Sequence, residues 1–150
     1  MDIPTIRRFR ENIRHIEREL NIQNNSNCCH GITLAQCHTL LELFLHESIN
    51  LSELSERLYL DKSTVSRTIE GLVKNGLVNR TIPTENRRKV IISLTQKGID
   101  ICTQINSDND SYFGTIIDSI PPKDLPIFLK SFETIVNEMI QNNRINNKPC

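Results

Sequence analysis

Apolar residues recur along the chain first at helical and then at strand spacing. Ile6, Phe9, Ile13, Ile16 and Leu20 step by three and four, one stripe of a helix with Arg and Glu on its other faces. Pro4 fits the first turn of that helix. The stretch 21–31, rich in Asn and closed by Gly31, predicts a loop. Thr33-x-x-Gln36 is a capping box that opens a second helix, with Leu34, Cys37, Leu41 and Phe44 inward and an end near His46–Ser48. A short third helix covers about 52–59, capped by Ser52 or Asn50, with Leu54 and Leu58 inward. Asp61 caps a fourth helix from Lys62 to Asn75, whose inward face is Val65, Ile69, Leu72 and Val73. Gly76 stands where a left-handed residue closes a helix.

After Gly76 the pattern changes. Segments 77–81 and 89–94 are rich in β-branched residues and flank the polar stretch Ile82 to Arg88, which predicts a β-hairpin. Thr95 caps a fifth helix carrying Ile99, Cys102 and Ile105 and running to about Ile117, before Pro121-Pro122. Leu125, Phe128, Leu129, Phe132, Ile135, Val136, Met139 and Ile140 form a last helix at helical spacing. The Asn-rich stretch from Gln141 to Cys150 predicts a frayed tail.

Two short helices joined by a tight turn and followed by a hairpin make a winged helix-turn-helix. The expected fold is therefore mainly α with a small β-hairpin wing, in one domain of 150 residues. The winged lobe covers about 33–94. The stripes at about 3–20 and 95–143 have no home in so small a lobe, which predicts that they join two copies of the chain in a homodimer.

Charge sharpens this picture. The chain has 18 Lys and Arg and 18 Asp and Glu, but nine of the former and three of the latter lie within residues 57–97. A neutral chain with a basic middle carries the footprint of a local nucleic-acid contact. On the fourth helix the outward side begins Lys62, Ser63, Thr64 and continues with Ser66 and Arg67. Short hydroxyls allow close approach to the major groove, and Arg is the commonest guanine reader. Arg80, Arg87, Arg88 and Lys89 of the hairpin add contacts to phosphates or to a narrow minor groove. A winged helix that served only protein contacts would have no need of Arg67 together with Arg87-Arg88-Lys89.

The five cysteines carry the remaining chemistry. No run of about 18 apolar residues spans a membrane, and the charged start is unlike a signal peptide, so a cytoplasmic protein with reduced thiols is expected. Cys28, Cys29, His30, Cys37 and His38 fall within eleven residues, a dense soft-ligand set, and Cys102 lies early in the fifth helix. Cys37 is equally readable as a small core residue. Cys37 and His38 are helix neighbours pointing roughly 100° apart, poorly placed as nucleophile and base. With no Gly-rich phosphate loop and no paired catalytic carboxylates, no enzyme is expected. His15 and His46 read as surface or interface residues, and Cys150 as an incidental thiol.

The motifs Leu51-x-x-Leu54-x-x-x-Leu58-x-Leu60-Asp61-x-Ser63-Thr64-Val65-Ser66-Arg67, Leu72-Val73-Lys74-Asn75-Gly76-Leu77-Val78-Asn79-Arg80, Asn86-Arg87-Arg88 and Leu94-Thr95-x-x-Gly98 resemble the MarR family of bacterial transcriptional regulators. The resemblance covers about residues 33–100 by motif, and the flanking helices match in order and length. It implies an obligate homodimer joined through the first and last helices. Such a dimer binds pseudo-palindromic double-stranded operators, usually as a repressor, and responds to small ligands, metals or oxidants. One departure is Asn86, where the family wing usually has an Asp that holds the following Arg. In zinc-sensing members the ligands come from the loop before the second helix, from an acid–His pair in that helix and from the fifth helix. This chain is similar at His38 but has Cys37 in place of the acid, with Cys102 on the fifth helix. Thiolate in place of carboxylate favours a soft metal ion, a trivalent metalloid or an oxidant as the signal at Cys28, Cys29, Cys37, His38 and Cys102. An organic ligand, with the cysteines structural, is the alternative.

Overall fold

A computed structural model of the protein describes residues 2–25, 30–86 and 89–146, so Cys28, Cys29, Arg87, Arg88 and Cys150 lie outside the described residues. In chain order the elements are α1 (Ile3–Asn25), α2 (Leu34–Phe44), β1 (Ile49–Asn50), α3 (Leu51–Leu58), α4 (Lys62–Lys74), β2 (Val78–Thr81), β3 (Ile91–Leu94), α5 (Gln96–Ile117) and α6 (Leu125–Asn146). The winged helix-turn-helix order expected from the sequence is present. No helix among the described residues is long and apolar enough to cross a membrane.

The helix starts are fixed by local chemistry. Thr33 and Gln36 form the expected capping box on α2, and Asn50 and Glu53 form another on α3. Asn50, rather than Ser52, is the α3 cap. Asp61 caps α4 by accepting the Thr64 N–H at 2.9 Å. Gly76 adopts φ 70° after α4, and the Leu77 N–H reaches back to the Leu72 carbonyl at 3.0 Å, closing the helix.

Tyr59 plays the same left-handed part after α3, at φ 56° and ψ 34°, with a side chain that costs strain there. The next amide, Leu60 N–H, bonds to the Ser55 carbonyl at 3.1 Å and holds the turn between α3 and α4. Replacing Tyr59 with Gly is expected to raise stability by about 1 kcal/mol. Chemical denaturation of the two proteins checks this; a loss would mean that contacts of the Tyr59 ring outweigh its backbone strain.

The three strands form one antiparallel sheet in the order β1-β3-β2, with Ile49 opposite Ile92 and Val78 opposite Leu94. The hairpin was expected, and β1 was not. Two residues are too short for alternation to reveal, and Ile49 joins the sheet because its side chain is buried there. The core beneath is built from Leu40, Leu43, Leu54, Val65, Ile69, Leu72, Leu77, Val78, Ile92 and Cys102, so α2 to α5 and the sheet share one apolar centre.

Four expectations need correction. The loop expected from residue 21 begins later, because α1 continues to Asn25 with Gln23 and Asn24 half-buried. Asn disfavours a helix by only tenths of a kcal/mol, too little to stop a helix that is already propagating. The α2 face turned inward is Cys37, Thr39, Leu40 and Leu43, while Leu34 and Phe44 are exposed. Thr39 tolerates burial because its hydroxyl donates to the Ala35 carbonyl at 2.8 Å. Val73 and Ile99 are exposed as well, leaving Val65, Ile69 and Leu72 inward on α4 and Cys102 and Ile105 on α5. Finally, α6 continues through the polar stretch to Asn146.

Residues 1–108 form one compact unit and 109–150 a second, the boundary falling inside α5. In the first, Ile6, Phe9 and Ile16 on α1 are exposed. In the second, Phe128 and Phe132 stack at 5.7 Å between ring centroids, and both are exposed on α6 with Leu129, Val136 and Met139.

Candidate nucleic-acid interface

The α4 helix spends its apolar face on the core, which leaves its polar face outward. Lys62, Ser63 and Arg67 are exposed, and Thr64 and Ser66 are half-buried. The sequence alone offers the Ser63 and Thr64 hydroxyls as short groups for close approach to the major groove. In the structure the Ser63 hydroxyl donates to Asp61 Oδ1, and the Thr64 hydroxyl donates to Asp61 Oδ2 at 2.6 Å. These hydroxyl bonds, the Ser63 one first, together with the Thr64 backbone amide hold the Asp61 carboxyl well below the usual carboxylate range. The Asp-x-Ser-Thr spacing is a local signal that could have revealed this. Arg67 is lightly tethered: Nε donates to the Ser63 carbonyl and Nη2 to Thr64 Oγ1, each at 3.4 Å.

The wing brings a second cation to the same place. The Lys89 N–H donates to the Asn86 carbonyl at 3.0 Å, and the Asn86 N–H closes a turn on the Pro83 carbonyl at 3.3 Å. Lys62 from α4, Lys89 and Asn86 from the wing, and Asn50 and Ser52 at the start of α3 line one open cleft of about 530 Å³. Two lysines beside the half-buried Asn50 and Ser52 and the exposed Asn86 suit a phosphate oxygen. In the sequence Asn50 and Ser52 are legible only as helix caps. Arg80 is exposed on β2. The pairing of Asn86 with Arg88 falls outside the described residues.

The cysteine-rich region is divided. Cys37 is buried against Ile105, His38 is exposed, and Cys102 is fully buried in the main core, its thiol donating to the Leu40 carbonyl at 3.5 Å. Burial pushes the Cys102 thiol up to about 11. Among the described residues no group of three or more His, Cys, Asp or Glu gathers as a metal site. Cys37, His38 and Cys102 therefore do not form one by themselves, and the fit of a metal turns on Cys28 and Cys29. One contact unforeseen in the sequence ties this region together. His30, at φ 50°, places Nε2 2.9 Å from Asp108 Oδ2 on α5, while the Gln104 amide donates to Asp108 Oδ1 at 2.9 Å. Those two bonds, Gln104 first, lower the Asp108 carboxyl. His46, at the end of α2, is half-buried, with Nε2 3.6 Å from the Glu42 carboxylate that Arg57 also approaches.

Helix-turn-helix, sheet and wing thus define a winged helix-turn-helix protein. Residues 32–90 match the MarR family. A 110-residue stretch is 30% identical to the uncharacterized HTH-type transcriptional regulator YsmB of Bacillus subtilis, covering 73% of this chain and 75% of that protein. The chain belongs to the MarR family. It is also 37% identical over 68 residues to the organic hydroperoxide resistance transcriptional regulator of Bacillus subtilis, a match covering 45% of this chain and 46% of that relative. The chain thus spans about half the length of that protein. Both relatives are transcriptional regulators by name. Streptococcus pneumoniae FabT, solved in complex with DNA, has the same fold at a TM-score of 0.81 and 19% identity, over 91% of this chain and 98% of that one.

Proposed function

We propose that the protein is a sequence-specific, DNA-binding transcriptional regulator, a cytoplasmic repressor that binds pseudo-palindromic operators as a homodimer. The observation that carries this reading is the shared placement of Lys62 on α4 and Lys89 on the wing along one cleft, with Arg67 exposed farther along α4. The DNA complex of FabT, which has this fold, supports the same use of it. The exposed apolar residues of α1 and α6 support the dimer, since so many Ile and Phe side chains left in water favour association. Light scattering should give a particle of twice 17.3 kDa. Selection from random double-stranded DNA should yield a two-fold symmetric site whose affinity falls steeply with salt. A monomer that enriches no sequence overturns the reading.

The DNA affinity is controlled, in this reading, by a soft metal ion or trivalent metalloid at Cys28, Cys29, Cys37 and His38. The His30–Asp108 contact supports it, because a ligand held in that loop would act on α5 through an existing bond. Cys102 joins such a site only by leaving the core and losing its proton, which its burial opposes. Oxidation of the same thiols is the second reading, favoured by the relative named for organic hydroperoxide resistance. Reduced protein is titrated with Zn(II), trivalent arsenic and hydrogen peroxide while operator binding is followed. Changing Cys28, Cys29 and Cys37 together to Ser should abolish the response and leave DNA binding intact. An unchanged response in that variant makes the cysteines structural and points to an organic ligand.

A further inference from the structure

The first turn of α4 holds its hydrogen-bond donors and acceptors in a fixed order. Ser63 and Thr64 each have a single hydroxyl proton. The Ser63 proton is given to Asp61 Oδ1 and the Thr64 proton to Asp61 Oδ2, at 2.6 Å in the second case. Oδ1 accepts the Thr64 N–H as well. A carboxylate can accept all three bonds and has no proton to return. Bonds to an ionised acceptor are about twice as strong as neutral ones, so turning either hydroxyl outward means giving up a strong bond. What remains to face outward on each Oγ is lone-pair density. Thr64 Oγ1 already displays this polarity within the chain by accepting from Arg67 Nη2. Lys62 and Arg67 on the same helix have only donors.

We propose, building on the DNA-binding reading above, that Ser63 and Thr64 read DNA as hydrogen-bond acceptors. They would select bases that offer an exocyclic amine in the major groove, adenine N6 or cytosine N4, with Asp61 as the positioning residue that fixes this polarity. Guanine offers O6 and N7 there, and thymine offers O4 and a methyl group, so neither gives these oxygens a proton. Phosphate oxygens also only accept, which excludes Ser63 and Thr64 as phosphate clamps while their protons stay on Asp61. Guanine and phosphate fall to Lys62 and Arg67. The α4 face is thereby divided into an acceptor end for amine-bearing bases and donor positions for acceptor-bearing ones.

The test uses the full-length protein and the operator selected from random DNA. At each position in the half-site where a Ser63→Ala, Thr64→Val double variant relaxes the preference, the wild type should select adenine or cytosine. Replacing that base with its analogue lacking the exocyclic amine (purine 2′-deoxyriboside for deoxyadenosine, 2-pyrimidinone 2′-deoxyriboside for deoxycytidine) should weaken wild-type binding about 5- to 100-fold. The double variant should bind the two duplexes alike. Asp61→Asn keeps a residue that caps helices well, so the fold survives. Its amide nitrogen accepts no proton, so one hydroxyl is released to donate, and repeated selection should shift the position toward guanine or thymine. Circular dichroism and melting of each variant confirm that it is folded. Selection of guanine or thymine by the wild type at those positions, or indifference to amine deletion, overturns the inference and leaves the DNA-binding reading standing. Failure of the wild type to enrich any sequence overturns both.

Discussion

Gly98→Ala is expected to be severely destabilising, although it adds one methyl group near the start of a helix. A Cβ on Gly98 would lie 2.1 Å from the Leu77 carbonyl oxygen, 3.2 Å from its carbon and 3.3 Å from Leu94 Cδ2. The oxygen cannot step aside cheaply, because it accepts the Thr95 N–H at 3.0 Å. Around it the Thr95 hydroxyl donates to the Gly76 carbonyl at 2.8 Å, and the Gly98 N–H donates to Thr95 Oγ1 at 3.0 Å. The turn that leaves α4 for the wing is thus bonded to the turn that leaves the wing for α5, and the methyl group separates them. A loss of about 3 kcal/mol follows, at the upper end of what overpacking costs. For a chain of this size that lowers Tm by roughly 6–12 °C. Gly71→Ala is the control: its Cβ meets only the Gln36 side-chain nitrogen, at 2.8 Å. Moving that nitrogen aside strains at most the Gln36 Oε1 bond to the Thr33 amide, and Ala gains about 1 kcal/mol of helix propensity over Gly, so the two effects offset and the net change should be small. Thermal unfolding followed by circular dichroism separates the two, and equal effects would mean that the turn can rearrange around an added Cβ.

Arg67→Ala should cost on the order of 1–3 kcal/mol of operator binding, about 5- to 150-fold in affinity, and should relax the preference at one position of each half-site. Arg67 is exposed on α4 and held only by two 3.4 Å hydrogen bonds from Nε and Nη2. A guanidinium has five N–H donors, which leaves three for a guanine edge. Binding to random DNA should fall much less. Lys89→Ala, in the cleft beneath the wing, should instead weaken binding to every sequence and reduce the salt slope by about one. Both side chains are exposed, so melting temperatures should hardly change. Fluorescence anisotropy on operator and random duplexes at several salt concentrations reads all of this. An equal loss on both duplexes would make Arg67 a phosphate contact, and no loss on either would remove α4 from the groove.

The sequence alone determined the features that arise within a few residues of chain. Thr33 with Gln36, Asp61 and Gly76 mark helix ends through bonds to their own neighbours, so element order and the winged helix-turn-helix were legible from local pattern. The exposed charges of Lys62, Arg67 and Lys89 were legible for a related reason: an unpaired charge is seldom buried. The capture of the Ser63 and Thr64 hydroxyls by Asp61 is equally local and could have been read from the spacing. Tertiary structure decided what periodicity leaves degenerate. Leu40, Leu41, Leu43 and Phe44 cover a broad apolar arc of α2, and only packing against α4 and the sheet chose Leu40 and Leu43 for the core. β1 exists because Ile49 and Asn50 find an open edge of β3, which two residues cannot announce. His30 meets Asp108 across 78 residues, and Gly98 meets Leu77 across the whole wing. Contacts between distant segments depend on how the elements are folded together, and no short stretch of sequence contains that information.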